Sequence, residues 1–147
     1  MINELTILDA LQNVVQDQIN GYIEDVPPIG KGCVVVEFPD VDLMKDKTVI
    51  YLQPNYSSYE LMSTESDSAA FTVSVFIVCK RDKSENLTKK SYHYFNALYD
   101  LLRSNLTLDG VVDFVDVVDA DYYPAVEGNK SVQAIEVSVS IRYSKDW

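Results

Sequence analysis

The chain has 147 residues, of which 47% are hydrophobic and 24% charged, and its formal net charge is −11 at pH 7. That balance fits one globular domain spanning 1–147 and does not fit a disordered segment. A surface this acidic repels a phosphate backbone and an anionic bilayer alike, so neither specific nucleic-acid binding nor membrane-surface binding is expected.

Leu5, Leu8, Leu11, Val15 and Ile19 recur at three- and four-residue steps, with Gln12, Gln16 and Asp17 between them. This spacing predicts an amphipathic helix from Leu5 to Ile19, stopped at Asn20-Gly21. Pro27-Pro28 then forces an extended connection. Cys33–Phe38 reads as a short strand or structured loop, and Thr48–Gln53 as a second strand stopped by Pro54. Residues 54–68 are polar and turn-rich but hold Tyr56, Tyr59, Leu61 and Met62, the composition of a long contact loop.

Phe71–Cys79 is a third strand, ended by the charged run Lys80–Lys83. A second helix follows over Leu87–Ser104, capped by Asn86 or Thr88. Its expected buried stripe is Tyr92, Phe95, Leu98, Tyr99 and Leu102, widened by Leu101. Asn105 or Asp109-Gly110 ends it. Residues 111–123 predict one long strand or two, with Asp113, Asp119 and Asp121 sharing a parity and Asp116 marking a bulge. Pro124 and Glu127-Gly128-Asn129 predict a turn. Ile135–Tyr143 is the cleanest alternation in the chain: Ile135, Val137, Val139, Ile141 and Tyr143 on one face, Glu136, Ser138, Ser140 and Arg142 on the other.

The expected fold class is therefore α+β: a mainly antiparallel sheet with two α-helices packed on one face, in the order α-β-β-β-α-β-β. That order argues against a doubly wound nucleotide fold.

Residues that could carry chemistry are sparse. His93 is the single histidine and has no ligand partners at metal-binding spacing. An EF-hand register beginning at Asp119 puts Tyr123 fifth, Pro124 sixth and Lys130 twelfth, so the calcium loop fails. Gly30-Lys31-Gly32 is too short for a phosphate loop, and no nucleophile elbow occurs. Cys33 and Cys79 lie in apolar runs without a CxxC, so buried thiols in a reducing compartment are expected. Met1–Glu4 carries neither a basic nor an apolar leader region, and an intracellular protein is expected. No catalytic residue, metal ligand or cofactor is expected.

The helix from Leu5 to Ile19, the strand Phe71–Cys79 leading directly into the helix Leu87–Ser104, the acidic strand, and the closing strand Ile135–Tyr143 together resemble the phage tail-terminator or neck (tail-completion) proteins. These are small α+β proteins that cap the tail tube as a ring, commonly hexameric. The segment from Gly30 to Lys47 is longer than the simplest members need. The resemblance implies a non-enzymatic structural protein of a phage or prophage, homo-oligomeric, with tail-tube and head-completion proteins as partners. It implies residence in the bacterial cytoplasm and then in the virion tail or neck. On that reading Tyr56, Tyr59, Leu61 and Met62 are candidates for a subunit or tube contact, and Asp113, Asp116, Asp119 and Asp121 for an acidic lumen face. A small ligand- or peptide-binding module without catalysis fits the same elements, and an enzyme using scattered carboxylates is the third reading.

Overall fold

A computed structural model describes residues 2–41, 44, 47–81 and 86–146. Helix α1 (Glu4–Gln18) starts at Asn3, whose Oδ1 accepts from the Thr6 amide at 2.9 Å. It buries Ile7, Leu11, Val14 and Val15, whereas Leu5 is 68% exposed. The expected stripe is thus rotated toward Ile7 and Val14. The reason is that Gln12 and Gln16, on the same flank as Leu5 and Leu8, face the following chain segment. Gln16 accepts from the amides of Gly32 and Val34 and donates to the Gly30 carbonyl, and Gln12 donates to the Val34 carbonyl.

The helix tightens into a 3-10 turn at Ile19–Gly21. The expected left-handed glycine stop at Gly21 is not used, since its φ is not positive. Instead the Asn20 side chain exchanges two hydrogen bonds with the Ile29 backbone, at 2.7 and 3.0 Å.

Strand β1 is only Val34–Val35, parallel to β2 (Thr48–Leu61). Of Cys33–Phe38, expected as a short strand or structured loop, only Val34–Val35 is strand, and Gln12 and Gln16 of α1 bond the backbone of Val34 on the side away from β2. β2 runs antiparallel to β3 (Ser66–Lys80), which pairs with β5 (Val132–Asp146), which pairs with β4 (Phe114–Tyr123). The sheet order is β1-β2-β3-β5-β4. Between β3 and β4 the chain crosses the sheet as helix α2 (Leu87–Ser104), capped by Asn86, whose Oδ1 accepts from the Lys89 amide at 3.1 Å. Residues 82–85, where the expected charged run ends, lie outside the described residues.

Both helices pack on one face. From the sheet, Ile50, Leu52, Val73, Val75, Ile77, Val137, Val139 and Ile141 meet Ile7, Leu11 and Val15 of α1 and Tyr94, Leu98 and Leu101 of α2. The architecture is α+β, as the element order implies.

α2 is rotated from the expected stripe. Its buried face is Leu87, Lys90, Ser91, Tyr94, Ala97, Leu98, Leu101 and Leu102, while Tyr92 and Tyr99 remain 42% and 40% exposed. Tyr94 wins the buried position because its hydroxyl finds the Pro27 carbonyl at 2.6 Å, satisfying the one polar atom the ring carries inward.

The principal departure from the expected elements is the stretch 54–68. It is not a loop. β2 continues through it to Leu61, and β3 begins at Ser66, so Tyr56, Tyr59 and Leu61 lie on a strand and Met62 at the start of the turn. Pro54 does not end the strand because the register shifts between Pro54 and Tyr56, and β1 no longer flanks β2 there. A proline is tolerated at a bulge on an edge strand, where no ladder bond is lost. The first five residues of β2 are buried and those after Gln53 mostly exposed, which explains why this half carries a polar, loop-like composition.

Candidate assembly surfaces

The far end of the β2-β3-β5 arm is held to α1 by one carboxylate. Glu4 Oε1 accepts from the Tyr143 hydroxyl and from Lys145 Nζ, both at 2.8 Å. Glu4 Oε2 accepts from Ser57 Oγ at 3.2 Å and from the Tyr59 hydroxyl in a very short contact. Lys145 Nζ also lies 5.3 Å from the Tyr59 ring centroid. Partial burial alone raises the Glu4 pKa, but the bonds from Lys145, Tyr59 and Tyr143 outweigh it and bring the carboxyl from 4.5 down to about 2. The Tyr143 phenol is pushed well up, first by burial and then by its bond to the Glu4 carboxylate.

Around this clasp the otherwise polar arm exposes four large hydrophobic side chains. Tyr56, Tyr59, Leu61 and Met62 are 64%, 48%, 68% and 64% accessible. They do not form one patch. Strand alternation puts Tyr59 and Leu61 on the helix side of the sheet, with Met62 at the turn, while Tyr56, paired with Thr72, points to the opposite face.

That opposite face is the second surface. Register places Thr72, Ser74, Ser138 and Ser140 across its middle, with Asp116, Asp119 and Asp121 along β4. The β4 bulge lies at Val118, between Val117 and Asp119, and not at Asp116 as the alternation suggested. The extra residue restores phase, so Asp116 joins Asp119 and Asp121 on one face. Asp113 sits in the bend before β4, one residue out of phase with them, and its amide donates to the Arg142 carbonyl. A polar chain crosses all four long strands on this face. Gln53 Nε2 donates to Asn55 Oδ1, Asn55 Nδ2 to Ser74 Oγ, and Ser74 Oγ to Glu136 Oε2 at 2.8 Å, while Tyr123 donates to Glu136 Oε1 at 2.7 Å. That last bond, reinforced by the Glu136 charge, raises the Tyr123 pKa.

On one side of this polar chain the face is covered. Val41 packs on Val78, Val132 and Ala134, and Phe38 meets the Tyr51 ring edge-on at 5.3 Å. An apolar cleft of 250 Å³ lies here, lined by Phe38, Phe76, Val78, Tyr123, Val126 and Ala134 among others. It is smaller than most small-molecule sites, which run from roughly 300 Å³ upward.

A third surface was not anticipated. On α2 the rings of Tyr92, Phe95 and Tyr99 form a ladder with centroids 6.1 and 6.2 Å apart, and Tyr122 of β4 stacks on Tyr92 at 6.0 Å. Tyr92, Phe95 and Tyr99 belong to the expected stripe of α2, whereas Tyr122 comes from β4; the signal that Tyr92 and Tyr99 face outward is Tyr94, in phase with Ala97, Leu98 and Leu101.

His93 lines a polar cleft with Tyr22, Glu24, Asn96 and Asp100. Among the described residues no group of three or more histidines, cysteines and carboxylates is placed to hold a metal ion. Cys33 and Cys79 are buried and not joined to each other. No helix among the described residues is long and apolar enough to cross a membrane.

No protein-family model matches the chain, and no curated protein sequence does. Solved structures share its fold. A chain from the virion of a native gene transfer agent particle aligns over 96% of this chain and 98% of its own length, with a TM-score of 0.55 at 11% identity. The PVC sheath/tube terminator of an extracellular contractile injection system, in its extended state, aligns over 98% of this chain with a TM-score of 0.54 at 12% identity. This chain spans 57% of that terminator's length. At such identities the likeness is one of fold.

Proposed function

We propose that this chain is a structural tail-completion protein, which closes the tail tube at the head-tail junction as a ring of identical copies. The observation that carries the reading is that its fold aligns over nearly all of its own length with a virion chain and with a sheath/tube terminator, of which it spans 57%. The surfaces agree with it physically. A channel that passes DNA works best when it does not hold it, and the sheet face of Asp116, Asp119, Asp121 and Glu136 would line such a lumen with negative charge. The opposite edges of the sheet, at β4 and at the β2 arm, would meet in a head-to-tail contact that closes by rotation. The role is one of binding and shape, with partners in the tail tube and the head-completion proteins, in the producing cell first and in the particle afterwards.

A cap sets where tube growth stops. Deletion of the gene in a producing strain is therefore expected to give tubes of uncontrolled length without attached heads in electron micrographs. Normal particles from the deletion strain would overturn the proposal.

A further inference from the structure

We infer that the aromatic ladder of α2 is the seat for the β2-β3 hairpin tip of a second copy of this chain. The inference rests on the ring reading and names the residues that would close the ring.

Both surfaces are apolar, exposed, and impossible to bring together within one copy. The tip offers Leu61 and Met62, and the ladder offers Tyr92 and Tyr99. They lie at opposite edges of the sheet, the tip on β2 and the ladder above β4. Leu61 and the ladder are nevertheless on the same side, the helix side, so copies arranged side by side present one to the other. An edge-to-edge contact between unlike patches is heterologous, which is what a closed ring requires.

Charge selects the pairing. The tip is flanked by Glu60, Glu65 and Asp67, and Lys145, opposite Asp67, has its charge taken up by Glu4. The ladder is bracketed by Lys89, one turn before Tyr92, and Arg103, one turn after Tyr99, both exposed. Asp100 beside Tyr99 is the exposed acid on this helix, set against the two cations, and the aspartates of β4 face the other side of the sheet. Two acidic tips would repel each other; a tip and the ladder attract. Side chains and not a strand ladder make the contact, because both edges carry bulges, at Asn55 and at Val118, that disrupt regular pairing. Tyrosines suit the seat, since each gives a large rigid contact with a polar tip for the rim.

The test mixes two variants that each carry one added, exposed cysteine, Leu61→Cys and Tyr99→Cys, under mild oxidation, alongside sedimentation of the unaltered chain. The native Cys33 and Cys79 are 3% and 0% exposed and do not compete. Both altered positions are exposed, and circular dichroism checks that each variant folds. The expected result is an oligomer of the unaltered chain and a cross-linked band at twice 16.6 kDa in the mixture, weak in either variant alone and fading as salt rises. An oligomer with no such band removes the seat and leaves the ring. A band as strong in Leu61→Cys alone shows tip-to-tip contact and also removes it. A monomer with no band removes both.

Discussion

Glu4→Gln isolates the clasp that ties the first helical turn to the arm. At neutral pH the wild-type carboxylate accepts from Tyr143, Lys145, Ser57 and Tyr59; the amide keeps the shape but loses the charge. A carboxyl held at about 2 in place of 4.5 has its ionised form favoured, and the full displacement would correspond to a ceiling of ~3 kcal/mol. Glu4 is 29% exposed and Lys145 31%, so solvent screens much of this, leaving about 1–2 kcal/mol. The folded-state pKa is depressed, so this stabilisation is fully present above pH 4.5 and disappears as pH falls toward 2. Urea unfolding of wild type and variant at several pH values gives the difference directly. The variant is expected to be less stable at pH 7 and to converge with wild type near pH 2. Equal stability at pH 7, or an undiminished gap at pH 2, would refute the assignment of the clasp to the Glu4 charge.

Other substitutions test the remaining joints of the fold by the same unfolding assay. Asn86→Ala removes the oxygen that caps the Lys89 amide and is expected to cost about 1 kcal/mol, with Asn86→Asp restoring it. Tyr94→Phe strips the bond to the Pro27 carbonyl without emptying the core and should cost about 1 kcal/mol, whereas Leu98→Ala opens a cavity beneath α2 and should cost about 2–5 kcal/mol. Replacing Asp116, Asp119 and Asp121 together by Asn should leave stability nearly unchanged, since all three are exposed, yet raise retention on a DNA column at low salt; unchanged retention would argue against a charge-repelling face.

Much of this fold is legible in the amino-acid order where one periodicity dominates. From Ile135 to Tyr143 β5 alternates without interruption because one face meets the helices and the other is polar, and α2 runs from Leu87 to Ser104 because Asn86 and Asn105 supply the two caps. Phase was harder than existence. Both helices carry more apolar residues than one buried stripe needs, and hydrogen bonds made by Gln12, Gln16 and Tyr94 to distant backbone decide which stripe turns inward. The β2 arm was illegible for a related reason. Two-sided exposure removes the apolar alternation that marks a strand, and Pro54 looks like a terminator until the bulge and the edge position are known. The acidic face follows from a single inserted residue, Val118, that no local pattern pins down.

Cryo-electron microscopy of the purified protein bound to isolated tail tubes tests the central claim most directly. The account predicts one closed ring of copies at a tube end, with the faces bearing Asp116, Asp119 and Asp121 turned toward the channel. Tubes with bare ends, or copies bound singly along the tube wall with those aspartates facing outward, would contradict it.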